Sequence, residues 1–388
     1  MRNISNTGDV DMKIAFISNY LSHHQKPLSD VLYKKLHGEY YFLETEQMTH
    51  ERKILGWREE KNLPYLVRMY SDTSDYQRGM QIIEDSDVVI IGGTSDRYIT
   101  KRLSENKLIF RYEERILKTS NWQILNPHTL WAIYKCHYKN RHKNVYLLSA
   151  GAYLPKELKL FHTYKNKMFQ WGYFPETYTY EMDELFNLKK NEITEIVWSA
   201  RFIDWKHPEQ VVKIAKTLAG EGINFHITMI GSGELLKPIS DSVVSAKIEN
   251  YISFTGAVSP LEVRNYMEKA NIFLATSDRQ EGWGAVINEA MNSGCAVIAN
   301  EQMGAVPYLI EDMVNGYIYK TQEECIELLK KLLNSSDLCS ETGTRAYEKI
   351  TEVWNAENAA EQLLRQFECA INNQTPDDAI KGPAEWIG

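Results

Sequence analysis

The sequence predicts an α/β protein that contains two doubly wound parallel sheets. Its 388 residues exceed what one hydrophobic core ordinarily supports, so two domains are expected. Strand-like apolar runs alternate with helix-like segments in two separate stretches, and this alternation is typical of parallel sheets with helical crossovers. The segment 172–180, Gly-Tyr-Phe-Pro-Glu-Thr-Tyr-Thr-Tyr, fits neither stretch and is the expected hinge.

The first stretch opens with an apolar strand that ends in a polar loop. Its predicted strands are 12–19, 87–92, 108–112 and 145–149, and its predicted helix is 28–36. The second stretch has predicted strands at 195–200, 225–230, 252–255, 272–276 and 295–299, and helices at 208–218, 260–270 and 284–291. An amphipathic helix at 355–371 and a polar tail close the chain. The expected domains are 12–175 and 186–352, with 353–388 crossing back to the first.

Composition excludes several classes of protein. The net charge of −8 argues against nucleic-acid binding. No apolar run approaches the ~18–20 residues that a membrane span needs, and the polar N-terminus does not resemble a signal peptide. Five scattered cysteines without a Cys-x-x-Cys pair favour a reducing compartment. The protein is therefore expected to be cytoplasmic.

Charge is unevenly distributed along the chain. Between Arg97 and Lys167 there are 15 Lys and Arg residues but only four acids. A solvated basic surface explains this excess. The functional alternative is a surface for anionic lipid, which would place the protein at the inner face of the cell membrane, or for a diphosphate-bearing substrate.

The most informative segment runs from Ser277 to Gly294 and contains the pair Glu281 and Glu289. The first glutamate is predicted to lie in a loop after a strand, and the second just over one turn inside the next helix. Gly294 is placed where a helix C-terminus favours glycine. Loops at the carboxyl ends of parallel strands bind ligands, and a helix N-terminus attracts phosphate. The arrangement suggests a sugar nucleotide, although an acid before a helix and a solvated Glu289 would also be ordinary.

Other candidate residues follow the preceding strands of the same stretch. Arg201 and Lys206 could neutralise a diphosphate, although either could be a surface residue. Gly231 and Gly233 allow close approach of a ligand or form a tight turn. The loop with Ala257 could offer backbone groups to the edge of a base.

These residues resemble a known family. The motifs are Arg201 and Lys206, Met229-Ile-Gly-Ser-Gly-Glu234, Phe254-Thr-Gly256, Glu281-Gly-Trp-Gly with Glu289, Gly304-Ala-Val-Pro307 and Asn315-Gly316. Together they resemble the retaining GT-B glycosyltransferases, specifically glycosyltransferase family 4, over about half of the chain. The resemblance implies two Rossmann-like domains facing an inter-domain cleft.

The resemblance also implies roles for individual residues. Arg201 and Lys206 would grip the donor diphosphate, and Glu289 would bind the ribose hydroxyls. Glu281, expected to be unpaired, would lie against the donor sugar. The implied donor-binding backbone is Gly282, Trp283, Gly284, Ala285 and Val286.

The implied reaction moves a sugar from a nucleoside diphosphate to a hydroxyl with retention at the anomeric carbon. No cofactor or metal is expected, since two cations and a helix dipole already cover the diphosphate. Asp9-Val-Asp11 spells a metal-binding Asp-x-Asp but precedes every predicted strand. His137 and His142 lack metal-ligand spacing and are expected at the surface.

The first stretch is less informative about chemistry. His23, His24 and Lys26 follow its first strand, where many relatives carry a glycine-rich loop, and this feature resembles enzymes of capsule and surface polysaccharides. A capping loop, with Ser29 as the N-cap, is the structural alternative. Where relatives often carry a histidine near the donor sugar, this chain has none. Glu113 and Arg115 are the candidates there for acceptor or sugar contacts.

The predicted function is transfer from a nucleotide sugar, a UDP-sugar by preference, in bacterial polysaccharide biosynthesis. The predicted acceptor is a saccharide or a saccharide linked to polyprenyl diphosphate. The alternatives are a sugar-nucleotide epimerase or phosphorylase of the same fold and a non-catalytic scaffold.

Overall fold

The chain folds into two α/β units, each with an all-parallel sheet, which confirms the predicted fold class. The computed structural model describes residues 12–54, 57, 59–60 and 62–388. Of these, 12–53, 59–176 and Ala356–Gly388 lie in the first unit, and the second consists of Thr177–Asn355 together with Ile54 and Trp57. The change of unit at Glu176 falls inside the extended 172–180 segment.

The first unit contains a seven-stranded sheet. Its strands are β1 (Ile14–Ser18), β2 (Tyr40–Glu44), β3 (Leu66–Arg68), β4 (Val88–Ile91), β5 (Ile109–Glu114), β6 (Val145–Ala150) and β7 (Met168–Trp171). Helices in this half of the chain are α1 (Lys26–Lys35), α2 (His50–Ile54), α3 (Thr73–Asp85), α4 (Thr100–Ser104), α5 (Pro127–Cys136) and α6 (Leu154–Lys159). The strand order is β3-β2-β1-β4-β5-β6-β7.

The second unit contains a six-stranded sheet. Its strands are β8 (Thr194–Ser199), β9 (Phe225–Ile230), β10 (Ile252–Gly256), β11 (Ile272–Ala275), β12 (Ala296–Asn300) and β13 (Tyr317–Tyr319). Its helices are α7 (Met182–Leu188), α8 (Pro208–Gly220), α9 (Leu236–Ala246), α10 (Pro260–Lys269), α11 (Ala285–Asn292), α12 (Val306–Leu309), α13 (Gln322–Leu333) and α14 (Ser336–Glu348). The strand order is β10-β9-β8-β11-β12-β13.

The central strands are buried on both faces, as helices on both sides of a parallel sheet require. Every residue of β1, β4, β11 and β12 is buried, so these strands are continuous apolar runs rather than alternating ones. In each sheet the strand order reverses beside the first strand, between β1 and β4 and between β8 and β11. These two positions are the switch points at which open parallel sheets bind ligands.

The C-terminal helix α15 (Ala356–Ile371) and the polar tail after it are part of the first unit. Phe367 of α15 packs against Phe110, with ring centroids 4.5 Å apart. The tail then runs along the edge strand β7, where the Gln170 amide donates to the carbonyl of Glu385 at 2.8 Å. The tail thereby covers a sheet edge that would otherwise be open to pairing with another strand.

For the first stretch, one structural alternative and one local prediction are wrong. Ser29 does not cap a helix, since α1 begins at Lys26 and the Ser29 hydroxyl pairs inside the unit with Tyr40 at 2.8 Å. His137 is buried rather than exposed, and its Nδ1 lies 2.9 Å from the hydroxyl of Tyr164. The Asp9-Val-Asp11 motif lies outside the described residues.

Candidate functional site

The predicted donor residues of the second unit lie at the carboxyl ends of β8 and β11, the two strands that flank its switch point. Arg201 and Lys206 follow β8, and Glu281 follows β11. Because β8 and β11 pair in parallel, their loops leave the same edge of the sheet side by side. The sheet topology therefore places these three side chains where an open α/β sheet binds its ligand.

The loop after β8 is shaped by two aromatic side chains. Phe202 is fully buried and anchors the loop against Trp198, with ring centroids 5.0 Å apart. Trp205 lies in the short 3-10 turn that follows. Its ring centroid is 4.2 Å from Nζ of Lys206 and 5.7 Å from the guanidinium carbon of Arg201. One aromatic ring therefore holds both cations near each other through cation–π contacts.

Glu281 forms an ion pair with Lys206, so the expectation that this carboxylate is unpaired is wrong. The lysine ammonium donates to Oε2 of the glutamate, and the two side chains are only 12% and 14% exposed. The pairing joins residues 75 positions apart in the chain, which only the adjacency of the two loops brings together. The pair places a shielded cation and a shielded carboxylate at the switch point, where solvent screening is weak.

Gly231 and Gly233 are required by the packing of one loop against another. Their φ angles are +134° and +152°, and an added Cβ would lie 2.0 Å from the carbonyl oxygen of Ala200 and 2.4 Å from that of Phe202. The Phe202 amide donates to the carbonyl of Ser232 at 2.9 Å. The two glycines thus let the loop after β9 support the loop that carries the cations.

A glycine also opens helix α11. Gly284 has φ +98°, and an added Cβ would lie 2.8 Å from Cε of Met303 and 3.3 Å from Cγ of Glu281. The ring of Trp283 is buried, and its Nε1 donates to Oδ1 of Asn288 at 2.9 Å. Trp283 therefore anchors the loop through its side chain and can offer a ligand only its backbone.

Gly304 and Ala305 hold this loop through their backbone amides, whereas Asn315 holds only its own loop. The amide of Gly304 donates to the carbonyl of Glu281 at 3.2 Å, and that of Ala305 to the carbonyl of Trp283 at 3.0 Å. Asn315 bonds within its own loop, donating to the carbonyl of Leu309 at 3.0 Å. These residues position the site without entering it.

Helix α11 has one buried side and one open side. Ala285, Val286 and Glu289 are half-buried, whereas Gly282, before the helix, and most of its remaining residues are buried. The spacing of four residues places Glu289 beside Ala285 on the same face. Its carboxylate therefore shares the open side of the helix with the first turn, whose amides lack acceptors within the helix.

A shallow pocket lies beside the loop after β10. It has a volume of about 530 Å³ and is lined by Gly233, Glu234, Leu236, Lys237, Ser240, Phe254, Thr255 and Gly256. Gly256 has φ +71° with open space where a side chain would be, and Ala257 is exposed. Thr255 and Gly256 therefore line this pocket, and the exposed Ala257 follows them directly.

One part of the site was not indicated by the sequence. It is a hydrogen-bonded network around His207, the residue after Lys206. His207 Nδ1 lies 3.0 Å from Oε1 of Glu209, and its Nε2 lies 3.3 Å from Oδ2 of Asp278. The Asp278 amide donates to the carbonyl of Trp205 at 3.0 Å. The network therefore connects the two loops of the switch point, and no local motif marks it.

We expect His207 to make the stability of the second unit depend on pH. Its side-chain hydrogen bond to Glu209 raises the pKa of the imidazole above its ordinary 6.5. The stabilisation is therefore complete below the unfolded-state pKa and is lost as pH rises through the folded-state pKa. His207→Gln should lower the melting temperature by about 2 °C near pH 5.5 and by less near pH 9.

Scanning fluorimetry at both pH values measures this difference. His142→Gln, at an exposed position in the first unit, is the matched control and should behave as the wild type. An equal loss at both pH values would show that the His207 charge does not stabilise the fold.

In the first unit, the candidate residues His23, His24 and Lys26 follow β1 at the switch point of that sheet. The two imidazoles are half-buried with ring centroids 3.8 Å apart. The His24 carbonyl accepts from the Phe174 amide at 3.2 Å, which fixes the loop. Lys26 begins α1 and pairs with Asp30 at 2.6 Å. The loop is held by its own unit and presents imidazoles at the carboxyl edge of the sheet.

Glu113 lies at the carboxyl end of β5 beside a buried polar group. Its Oε2 is 3.4 Å from Nε2 of His137, and Arg111 on the same strand pairs with Asp96 at 2.9 Å. Burial raises the pKa of the Glu113 carboxyl to about 7 and lowers that of His137 to about 3. Glu113 can therefore exchange a proton near neutral pH.

Arg115 is held inside the first unit. Its Nε donates to Oε1 of Glu157 at 3.3 Å, and its guanidinium carbon lies 4.5 Å from the ring centroid of Tyr153. Glu157 also accepts from the backbone amide of Ile116 at 2.8 Å. These contacts fix the loop after β5, and the predicted acceptor contact of Arg115 stays a prediction.

Comparison with known proteins agrees with this geometry. The fold resembles that of HepE of Anabaena, solved in complex with UDP, with a TM-score of 0.67 and 12% identity over 91% of this chain and 98% of that one. This likeness concerns the fold, and it identifies the two parallel-sheet units as a GT-B architecture. Residues 183–349 match the family described as glycosyl transferases group 1. The matched residues all lie in the second unit and include Arg201, Lys206, Glu281 and Glu289.

Curated relatives match a part of the chain. The amylovoran biosynthesis glycosyltransferase AmsK of Erwinia amylovora is 28% identical over 144 residues, which are 35% of this chain and 35% of that protein. The poly(ribitol-phosphate) α-N-acetylglucosaminyltransferase of Staphylococcus aureus is 24% identical over 172 residues, 43% of this chain and 34% of that protein. The alignments thus span about a third of the length of these relatives. Within the part of the chain that the structure describes, every helix is too short or too polar to cross a bilayer.

Proposed function

We propose that this protein is a retaining glycosyltransferase of bacterial polysaccharide biosynthesis. It transfers a sugar from a nucleoside diphosphate sugar, a UDP-sugar, to a hydroxyl group in the cytoplasm. The observation that carries the proposal is the meeting of Arg201, Lys206 and Glu281 at the switch point of the second unit. The match of this unit to the group 1 glycosyl transferases supports it.

In the proposed reaction the bond between the anomeric carbon and the donor phosphate breaks. The leaving group is a nucleoside diphosphate, and its negative charge grows as the bond breaks. Arg201 and Lys206, held around the ring of Trp205, stabilise that charge, and the N-terminus of α11 adds backbone amides. With these groups in place, a metal ion is not needed for the diphosphate.

The developing sugar cation needs a partner of opposite charge. Glu281 provides it, and its ion pair with Lys206 holds the carboxylate and the ammonium at the same place. The new bond forms between the anomeric carbon and the acceptor oxygen on the face that the phosphate leaves. The proton of the acceptor hydroxyl passes to the departing phosphate, so that no protein base is required.

The nucleoside is proposed to lie across the open side of α11. Glu289 accepts hydrogen bonds from the ribose hydroxyls, and the backbone of 255–257 reads the edge of the base in the adjacent pocket. HepE was solved with UDP, which supports uracil as the base. The acceptor, a saccharide or a saccharide on polyprenyl diphosphate, is assigned to His23, His24 and Glu113 of the first unit.

Scanning fluorimetry with UDP, GDP and ADP tests the donor site, followed by the corresponding nucleotide sugars. A ligand at about a hundred times its Kd adds ~2.7 kcal/mol to the free energy of unfolding, a clear shift in melting temperature. We expect UDP to shift the melting temperature and the other two nucleotides to do so less. A larger shift with GDP or ADP would mean that the donor carries guanine or adenine instead of uracil. No shift with any nucleotide would contradict the proposed donor site.

A further inference from the structure

A segment of the first unit presents large apolar side chains to solvent. It comprises a 3-10 turn at Asn121–Leu125, helix α5 and the residues just after it. Of the ten described residues of α5, Ile133 alone is buried. The exposed side chains, named here the aromatic face, are Trp122, Leu125, Leu130, Trp131, Tyr134 and Tyr138. Trp122 is 78% exposed and Trp131 is 62% exposed, which is unusual for a side chain of this size.

The helix geometry separates the aromatic face from the side that holds α5 to the protein. Leu130, Trp131 and Tyr134 recur at spacings of three and four residues, so they lie along one side of α5. Ile133 is buried and lies about 100° around the helix from the middle of this exposed side. His137, directly after the helix, contacts Tyr164. The helix is therefore held at Ile133 and His137, while the side that carries Leu130, Trp131 and Tyr134 is exposed to solvent. Clusters of large exposed apolar side chains are typical of interaction sites.

The charge of the segment has one sign. Residues 118–143 contain five lysines and arginines and no aspartate or glutamate, in a protein whose net charge is −8. Two of these cations border the aromatic face directly. Nζ of Lys135 lies 4.9 Å from the ring centroid of Trp131, and the guanidinium carbon of Arg141 lies 3.9 Å from that of Tyr138. The surface therefore combines apolar rings with cations at their rim.

We propose that the aromatic face is a docking surface for an anionic lipid bilayer. Tryptophan and tyrosine favour the boundary between lipid headgroups and acyl chains, because one end of each ring is apolar and the other polar. Leucines add apolar area, and each nearby lysine or arginine is attracted to anionic headgroups. α5 lies flat on the membrane in this arrangement, with its anchored side toward the protein. The proposal does not depend on sugar transfer, although docking on the membrane would bring the protein to a lipid-linked acceptor.

The composition of the face favours lipid over another copy of this chain. In a symmetric dimer the same surface would meet itself, and Lys135 and Arg141, which border it, would face their counterparts on the other copy. Such like-charge contacts oppose association. An anionic bilayer supplies both the negative charge and the apolar layer that the face lacks.

Flotation of the full chain with vesicles tests the proposal. The wild type should float with phosphatidylcholine vesicles that contain phosphatidylglycerol, and much less with phosphatidylcholine alone. The double variant Trp122→Ser, Trp131→Ser should lower the partition coefficient at least about tenfold. The double variant Lys135→Glu, Lys139→Glu should lower it at least about 25-fold on the anionic vesicles, because each lysine near an anionic surface contributes about fivefold to binding. Reversal of the charge adds to this loss.

The matched control is the double variant Leu261→Ser, Tyr266→Ser, which removes exposed apolar side chains from α10 in the second unit. It should float as the wild type does. Each variant is also tested for its melting shift with UDP, so that loss of folding or of the donor site is distinguished from loss of docking. Absence of wild-type flotation, equal flotation of the tryptophan variant, or a concentration-dependent dimer that this variant abolishes would overturn the proposal.

Discussion

Replacement of Lys206 by alanine is expected to lower kcat/KM for sugar transfer by about 10²–10³-fold. The lysine is the shielded cation of the switch point, and its loss removes charge stabilisation from the leaving diphosphate. It also leaves the carboxylate of Glu281 without its ion-pair partner in a largely buried place. Release of UDP from the donor that the fluorimetry panel selects, in the presence of acceptor, measures the effect.

Two comparisons separate this effect from a general loss of cationic charge. Lys213→Ala removes an exposed lysine from α8, close in sequence but outside the site, and should leave the rate unchanged. Lys206→Arg keeps the charge and should retain more activity than the alanine variant. Activity of Lys206→Ala close to that of the wild type would refute the proposed role of the lysine.

The contact between Lys206 and Glu281 predicts that their substitutions are not additive. Each alanine variant breaks the same ion pair, so the double variant should lose less than the product of the two single losses. A coupling below about 0.5 kcal/mol would mean that the two side chains act independently.

The second unit could be predicted from the sequence because its signals are local. Strands such as β9 and β11 are short apolar runs, and Gly294 ends α11 with φ +65° as the helix pattern indicates. The neighbourhood of Arg201, Lys206 and Glu281 also follows, since each ends a strand of one parallel sheet. The ion pair between Lys206 and Glu281 does not follow from the sequence, because it depends on which strands are adjacent in the sheet.

What the sequence did not indicate depends on contacts between distant residues. β3 and β13 are three residues long and gain their stability from neighbouring strands, so no periodic pattern can mark them. The burial of His137 and Arg115 is set by partners far along the chain, Tyr164 and Glu157. The network of His207 and Asp278 is of the same kind, since 71 residues separate its members.

Arg102 shows most clearly how one buried side chain can connect several elements of a unit. This arginine of α4 is fully buried, and its two terminal nitrogens donate to four backbone carbonyls. The acceptors lie near the end of α3, at the start of β4 and just before β5, and are Ile83, Ser86, Asp87 and Leu108. An arginine would ordinarily be placed at the surface, so only the fold reveals this role.

Arg102→Ala should therefore destabilise the first unit by about 3–5 kcal/mol, because it leaves several buried carbonyls without donors and opens a cavity. The expected decrease in its melting temperature is more than about 6 °C. Lys101→Ala, one residue earlier and largely exposed, is the matched control and should cost less than about 1 kcal/mol. Arg102→Lys should fall between them, since one ammonium cannot reach acceptors on both sides as the planar guanidinium does. If Arg102→Ala and Lys101→Ala had the same melting temperature, the four hydrogen bonds of Arg102 would contribute no stability. The arrangement of α3, β4 and β5 would then depend on apolar packing alone.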